Sequence, residues 1–241
     1  MVFLKREMDT EVFMDNEKTK VLLGFDYSLN KPAATIVVGD RAPHFFIWPL
    51  SLTAPEISKY SEIGDLTVHN RNLDSISKGS LVESDLTLMH TRRSLDLARM
   101  VVDDVREYVR ECGYDMCDVS LYVCSEGYSF ASKGNATLDL ATYKGVLLSE
   151  IYRNFHDCIE CFGTYSPISI KSVAGCADKA HRSDKLAMIK AFIAQVLPVK
   201  SDFQEGLRSG VLKAKTNYIT CVDDIVDSYW AVRTMRVKEG I

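Results

Sequence analysis

Four acidic side chains stand where an α/β fold gathers its chemistry. Asp26 and Glu126 each end a short apolar run, and Asp224 and Asp227 open a helical pattern near the end of the chain. Ligand sites in α/β sheets lie at strand ends, and residues three apart share one face of a helix. Four carboxylates in one cleft would repel each other unless divalent cations neutralised them, and Mg²⁺ prefers oxygen ligands. Two such ions stabilise both the attacking and leaving oxygens of a phosphoryl displacement.

Each of these acids also has a plain structural interpretation. A carboxylate after a strand favours a turn, and Asp223 and Asp224 fit as helix caps. Periodicity alone does not establish that the four carboxylates converge. A metal-dependent phosphoryl-transfer site is therefore a hypothesis that the fold must test.

A second metal hypothesis rests on cysteines. Cys158 and Cys161 have the close spacing of a zinc knuckle, with Cys112 and Cys117 as conceivable partners. Structural zinc sites usually pair two tight knuckles, and the second pair here is loose. Buried free thiols are the favoured interpretation.

The elements that must position the acids follow from the hydrophobic pattern. Apolar, β-rich runs predict strands at 20–27, 33–38, 44–48, 119–125 and 168–173. Apolar residues at steps of three and four predict a long helix ending near Gly113, and further helices at about 137–155, 184–196 and from 223 onward. The segment 199–217 is basic and is predicted to be irregular. The order predicts a mixed five-stranded sheet, three antiparallel strands and then βα units, with helices on its faces. We expect one domain over 20–241, an extension at 1–19 and a polar insertion at about 51–84.

Composition excludes several classes of protein. The 241 residues are 46% hydrophobic and 26% charged, which is typical of a globular chain. No apolar run approaches the roughly 20 residues of a membrane span, so no membrane partner is expected. Without a recognisable secretory signal, the seven Cys are expected to be reduced in a cytoplasm.

The charge is unevenly distributed. The whole chain has a formal net charge of −4, yet residues 165–215 hold nine Lys or Arg against four acids. A basic stretch of this kind is usually a solvated face, but beside a phosphodiester site it favours contacts with a nucleic-acid backbone.

Four segments resemble the RuvC family of Holliday junction resolvases, within the RNase H-like nuclease superfamily. They occur in the family's order: GFDYSLNKPA at 24–33, EGYSFASKGNATLDLATYKGV at 126–146, SPISIKSVAGCADK at 166–179 and DIVDSYWAV at 224–232. The second segment resembles the family's catalytic Glu, a following aromatic, a Lys-Asn-Ala-type turn, and a helix with a basic residue, Gly and Val. The extra segments 1–19, 51–84 and 197–217 make the larger phage and poxvirus resolvases the more similar variants.

The resemblance implies an RNase H-like fold and a magnesium-dependent endonuclease. Asp26, Glu126, Asp224 and Asp227 would hold two Mg²⁺ ions, with Mn²⁺ able to substitute. A homodimer would bind a branched, four-way DNA junction and nick two strands symmetrically, in the host cytoplasm for a viral protein. The expected DNA contacts come from basic and aromatic side chains: Lys133, Lys171, Lys179, Arg182, Lys185, Tyr128 and Phe130.

Two other functions stay open at this point. One is an ATP-using kinase of the actin and sugar-kinase type, whose first strand also ends in an Asp followed by a Ser; the chain lacks the paired phosphate loops and the length for two such domains. The other is a junction-binding protein without cleavage, which the four intact carboxylates disfavour.

Overall fold

In the computed structural model the chain is described over residues 18–28, 30–71, 83–127, 135–177, 185–214 and 217–241. The strands are β1 (Thr19–Asp26), β2 (Ala33–Val38), β3 (His44–Ile47), β4 (Leu66–Val68), β5 (Val119–Glu126), β6 (Ile159–Tyr165), β7 (Lys213–Ala214) and β8 (Asn217–Tyr218). The helices are α1 (Ala54–Tyr60), α2 (Glu83–Glu111), α3 (Asn135–Phe155), α4 (Pro167–Val173), α5 (Lys185–Ala194), α6 (Asp202–Ser209) and α7 (Val222–Glu239).

Six of these strands form one mixed sheet in the order β4-β3-β2-β1-β5-β6. The strands β1, β2 and β3 run antiparallel as a meander, whereas β5 and β6 continue the sheet parallel to β1. The predicted mixed α/β fold, with three antiparallel strands followed by βα units, is therefore confirmed. The sheet has six strands and not five, because β4 adds to its edge beside β3.

The central strand β1 is buried on both faces, which explains its continuous apolar run. Side chains alternate across a strand. Val21, Leu23 and Phe25 accordingly pack in one apolar layer with α2 and α3. Leu22 packs in the opposite layer, which α4 to α7 supply with residues such as Trp230. Helices thus cover both faces, as the sequence predicts.

The long helix α2 agrees with its predicted periodicity. Its buried residues Ala98, Val102, Val105 and Val109 face the sheet. The helix ends at Glu111, and Gly113 follows with a φ of +90°. Glycine adopts this left-handed conformation without steric cost, which is why it marks the end of the helix.

The predicted strand at 168–173 is wrong, since this segment forms α4. Ser166 caps that helix by accepting a hydrogen bond from the Ser169 backbone N–H at 3.2 Å, and Pro167 occupies its first turn. A cap followed by proline is a strong start signal for a helix, and it outweighs the β propensity of the isoleucines. The parallel strand lies earlier, at β6, which the sequence pattern did not predict.

The polar insertion and the segment that is predicted to be irregular both contain regular structure. The insertion at 51–84 contains α1 and β4, as well as the start of α2. The basic segment 199–217 contains α6, which buries Phe203 and Leu207, and the short β7–β8 pair. Ser201 caps α6 by accepting from the Gln204 N–H at 3.2 Å. Residues 1–17 of the predicted extension lie outside the described residues.

Candidate active site

Two of the four predicted acids are brought together by the parallel pairing of β1 with β5. Phe25 stands opposite Ser125 in this ladder, so the next residues, Asp26 and Glu126, emerge side by side at one edge of the sheet. Parallel strands end at the same edge, which is where α/β proteins build their sites. The strand-end positions that the sequence singled out are therefore neighbours in space.

The third acid, Asp227, lies on α7, and this helix packs unusually close to β1. A Cβ on Gly24 would lie 2.5 Å from the Val232 side chain and 2.7 Å from the Ser228 carbonyl oxygen. A hydroxyl–hydroxyl hydrogen bond of 2.7 Å between Thr35 and Ser228 fixes the same crossing. Only glycine permits this approach, and the approach sets Asp227 over the end of β1.

Asp26, Glu126 and Asp227 form a compact carboxylate cluster. One oxygen from each lies within 4.8 Å of the other two. A cavity of about 300 Å³ opens onto them, and its other lining residues are Pro167, Ile170, Lys171 and Met188. Asp224, one helical turn before Asp227, lies outside this group of three.

The electrostatics of the cluster are unfavourable for Asp26. Burial raises the pKa of Asp26 well above its usual range, and the negative charges of Asp227, Asp224, Glu126 and Asp223 raise it further, in that order. A cation among these oxygens would relieve both effects. The donor set consists of carboxylates, which suit Mg²⁺ or Mn²⁺. The residues present thus fit the divalent cation that the sequence predicts.

A buried lysine that was not among the predicted site residues lies beside the cluster. Lys144 of α3 is buried, and its ammonium group donates a hydrogen bond to the backbone carbonyl of Glu126. Burial lowers the pKa of Lys144, while the charges of Glu126 and Asp26 oppose that shift. The available signal was the basic residue before Gly and Val in the motif at 126–146. Lys144 holds the end of β5, and thereby Glu126, in position.

The insertion at 51–84 contributes to the site through α1, which forms hydrogen bonds with the loop before α7. Glu56 accepts a hydrogen bond from the Thr220 backbone N–H at 3.0 Å, and the Tyr60 hydroxyl donates to the Thr220 carbonyl. Burial raises the pKa of Glu56, but hydrogen bonds from Thr220 and Thr53 outweigh it and lower the pKa to about 2. The segment that the sequence left without a role therefore anchors the helix that carries Asp227.

Few of the predicted DNA contacts lie within the described residues. Lys171, in the last turn of α4, lines the carboxylate cavity. Lys185 begins α5. The others lie outside the described residues: Lys133, Lys179, Arg182, Tyr128 and Phe130.

The zinc hypothesis finds no support. Within the described ranges, which include all seven cysteines, the carboxylate cluster is the single group of three or more side chains placed to hold a metal ion. Cys158 is buried, and its thiol donates to the Phe155 carbonyl at 3.2 Å. Burial raises the pKa of this thiol. The alternative interpretation of buried free thiols fits Cys158.

Comparisons with known proteins give loose structural likenesses. No protein-family model and no curated protein matches the chain. The RuvC structure from Thermus thermophilus has a TM-score of 0.44 at 12% identity, over 91% of this chain and 96% of that one. RuvC from T. thermophilus in complex with a Holliday junction substrate gives 0.43 at 11%, over 92% and 96%. The yeast mitochondrial Holliday junction resolvase Ydc2 gives 0.37 at 12%, over 88% and 76%.

Similarities of this size do not transfer residue roles to this chain, so the chemistry rests on the carboxylate cluster itself.

No helix among the described residues combines the length and the apolar character that crossing a membrane requires.

Proposed function

We propose that this protein is a divalent-metal-dependent endonuclease that resolves four-way DNA junctions. The observation that carries the proposal is the convergence of Asp26, Glu126 and Asp227 to within 4.8 Å, from two strands and a helix that are far apart in the sequence. A structural turn or cap would explain any one of these acids, but it would not require three to share one small space. Energetically, three such carboxylates are costly unless a cation binds between them.

The reaction is the hydrolysis of a phosphodiester. The oxygen of a water molecule attacks phosphorus, the bond from phosphorus to one ester oxygen breaks, and a phosphate monoester and a hydroxyl result. Bound Mg²⁺ ions would neutralise the phosphate and stabilise the attacking and leaving oxygens. Asp26, Glu126 and Asp227 would hold these ions, and Asp224 would complete the set for a second one.

Four further residues have defined tasks in this proposal. Lys144 holds the backbone of Glu126, which fixes the direction of that carboxylate. Lys171 supplies a positive charge at the cavity wall, where it can pair with a phosphate next to the cleaved bond. Tyr128 and Phe130 follow Glu126 in the chain, and one of their rings would stack on a base at the opened branch point.

The finer parts of the proposal rest on the motif resemblance. They are the four-way junction as the substrate, a homodimer, paired symmetric nicks, Mg²⁺ as the cofactor, membership among the phage or poxvirus variants of the family, and a cytoplasmic location. A two-fold axis in the protein would match the two-fold symmetry of a four-way junction, so that each protomer would cut one strand.

The test is a cleavage assay on three end-labelled substrates: a four-way junction, a flap and a linear duplex. With Mg²⁺ or Mn²⁺ we expect two symmetric nicks in the junction and little cutting of the linear duplex. Ca²⁺ should support binding without cutting, because its looser coordination misplaces the attacking water. Junction binding without any cut in Mg²⁺ or Mn²⁺ would instead assign the protein as a non-cleaving junction binder.

A further inference from the structure

A small β-hairpin lies beside the loop that leads into α7. Its strands β7 and β8 run antiparallel, with Lys213 opposite Tyr218. At its base the Leu212 carbonyl accepts a hydrogen bond from the Ile219 N–H at 3.0 Å, and both of these side chains are buried in the core layer that contains α7. The core therefore holds the base of the hairpin, while the side chain of Lys213 is exposed.

Two lysine side chains meet at this hairpin. The ammonium group of Lys59, on α1, donates a hydrogen bond to the Lys213 backbone carbonyl. The Lys213 ammonium group lies over the Tyr218 ring, 5.4 Å from its centroid, in a cation–π contact. Within the described ranges neither lysine forms an ion pair, whereas Arg208 on the neighbouring α6 pairs with Glu205. Two positive charges thus stay available at one point of the surface.

The loop before α7 holds this hairpin and α1 next to the carboxylate cluster. Glu56 and Tyr60 of α1 bond to the two backbone groups of Thr220, which follows the hairpin in the chain. Thr220 in turn precedes Asp224 by a stretch that spans at most about 14 Å. Because Tyr60 directly follows Lys59, the two lysines lie near the end of α7 that carries the acids.

A third lysine approaches the same loop from the turn that follows β1. Lys31 is exposed and comes shortly after Asp26 in the chain. Burial raises the pKa of the Cys221 thiol and Asp224 raises it further, while the positive charge of Lys31 opposes this shift. Lys31 therefore lies within electrostatic range of the start of α7. We call Lys31, Lys59 and Lys213 the hairpin lysine surface.

The hairpin lysine surface and Lys171 flank the site from opposite ends of the sheet. The strand order places β3 and β4 at one end and β6 at the other. Helix α1 connects β3 with β4, whereas α4, which carries Lys171, directly follows β6. Six strands about 4.8 Å apart extend over about 24 Å. A ligand that crosses the carboxylate cluster along this direction would meet positive charge on both sides.

Backbone phosphates of DNA are the anions that fit this arrangement. A lysine ammonium group is a compact charge on a flexible stem, which pairs with a phosphate as a point charge. Successive phosphates of one duplex strand advance about 3.4 Å along the helix axis, so about seven of them cover the same 24 Å. One strand could therefore contact Lys171 and the hairpin lysine surface while a bond between these contacts lies at the carboxylates.

We propose that the hairpin lysine surface binds backbone phosphates of the DNA, on the side of the carboxylate cluster away from Lys171. This inference rests on the proposed nuclease function and goes beyond it, because none of the three lysines was among the predicted DNA contacts. Contacts to phosphates carry no sequence information, so the surface positions the strand and does not read its sequence.

The test measures the affinity for a four-way junction against salt concentration, in Ca²⁺ so that binding is separated from cutting. Lys31→Ala, Lys59→Ala and Lys213→Ala should each weaken binding. The double Lys59/Lys213 alanine variant should lower the slope of log affinity against log salt by about two units, since each lost phosphate contact contributes about 0.9.

The matched control is the double Lys20/Lys238 alanine variant, which loses the same charge at exposed positions. Lys20 lies near the start of β1, about 20 Å along the strand from Asp26. Lys238 lies near the end of α7, about 16 Å along the helix from Asp227. Both are at the edge of the sheet away from the acids, so this variant should keep the slope of the wild type.

Two further variants guard against a folding artefact, because Lys59→Ala removes the hydrogen bond to the hairpin. Lys213→Ala alone keeps that bond, which ends on a backbone carbonyl, and should lower the slope by about one unit. The double arginine variant at 59 and 213 keeps both charges and should keep the slope of the wild type.

Equal slopes in Lys213→Ala, in the double alanine variant at 59 and 213 and in the control would overturn the hairpin lysine surface, and would leave the nuclease intact if the wild type cuts the junction in Mg²⁺. A wild type that binds the junction without cutting it, with a reduced slope in these variants, would keep the surface and remove the nuclease.

Discussion

At the scale of single residues, the carboxylate of Asp26 lies in an electrostatically unfavourable place. Burial and the negative charges of four other acids together raise its pKa. Natural proteins keep such arrangements where function demands them, and removing one usually stabilises the fold. The instability of the cluster is thus itself a sign of function.

Asp26→Asn should therefore stabilise the metal-free protein. In EDTA at neutral pH we expect a gain of about 1 kcal/mol in the free energy of unfolding. The gain should vanish near pH 3, where the carboxyl is protonated in both states, and grow as pH rises above its ordinary value of 3.8. Thermal unfolding across pH checks this. Asp96→Asn, at an exposed position on α2, should show no such gain, and equal gains in both variants would contradict the electrostatic explanation.

Asp223 and Asp224 should separate in their effects. Both lie in the first turn of α7, which begins after Cys221, so Asp223 is not the N-cap residue that the sequence suggested. Asp224 raises the pKa of Asp26 more than Asp223 does. Asp224→Asn should reduce junction cleavage by about 10-fold or more, while Asp223→Asn should keep most of it. Cleavage rates of the two variants at saturating Mg²⁺ test this. Lost cleavage in Asp223→Asn together with retained cleavage in Asp224→Asn would make Asp223 the site residue.

At the scale of elements, the close crossing of β1 and α7 determines whether the acids meet. Gly24→Ala should cost about 3 kcal/mol, because its methyl group would collide with Val232 and the backbone of Ser228. A methyl group added at Gly145, inside α3, would have no neighbour within 4 Å among the described residues. Gly145→Ala should therefore be neutral or stabilise by up to about 1 kcal/mol. Urea denaturation compares the two, and equal costs would contradict the crossing as the cause.

The stability that α1 gains from its hydrogen bonds to the loop before α7 should depend on pH. Glu56→Ala should cost about 1 kcal/mol at pH 7 through lost hydrogen bonds to Thr220 and Thr53, at a site that water still reaches. Because the pKa of Glu56 is lowered from 4.5 to about 2, this stability is present above pH 4.5 and is lost as pH falls towards 2. Glu62→Ala, at an exposed position nearby, is the control. A difference between these variants that does not shrink in acid would refute the mechanism.

Much of the element pattern could be predicted, and the exceptions have physical causes. The strands β1, β2, β3 and β5 and the helix α7 are largely buried and have conspicuous apolar runs, while α2 repeats its buried residues at steps of three and four. These elements therefore stand out in the sequence. Strand β6 alternates between partly buried and exposed residues at the edge of the sheet. Its sequence therefore gives no clear strand signal. Helix α4 follows from the capping Ser166 and not from its apolar content. Helix α1 does carry a local start signal, the Thr53–Glu56 capping box with a proline in its first turn, which the apolar pattern does not contain. The three-residue strand β4 depends on its pairing with β3.

At the scale of the whole molecule, basic side chains lie on both faces of the sheet, and Lys171 is the one that lines the carboxylate cavity among the described residues. Lys171 belongs to α4, which packs on the α7 face, whereas Arg93 belongs to α2 on the opposite face. The sequence predicted the first of these from the basic stretch at 165–215.

The carboxylate cluster could be predicted from the sequence only in part. Strand-end positions predicted that Asp26 and Glu126 would share an edge, and helical spacing predicted a common face for Asp224 and Asp227. The close packing of α7 against the end of β1 depends on Gly24 and on the Thr35–Ser228 hydrogen bond. No periodicity encodes such a contact. Lys144 did have a signal in the sequence, as the basic residue before Gly and Val in the motif at 126–146.

The most direct measurement compares cleavage of one four-way junction by the wild type and by Asp26→Asn, Glu126→Gln and Asp227→Asn in Mg²⁺. Each change removes a charged oxygen ligand without removing core volume, so all three variants should fold and bind the junction. We expect each to lose more than about 100-fold in rate, since even residues behind metal ligands cost 10- to 100-fold. The Asp96→Asn control should cut normally. Near-normal cleavage by any of the three variants would contradict the carboxylate cluster as the catalytic centre.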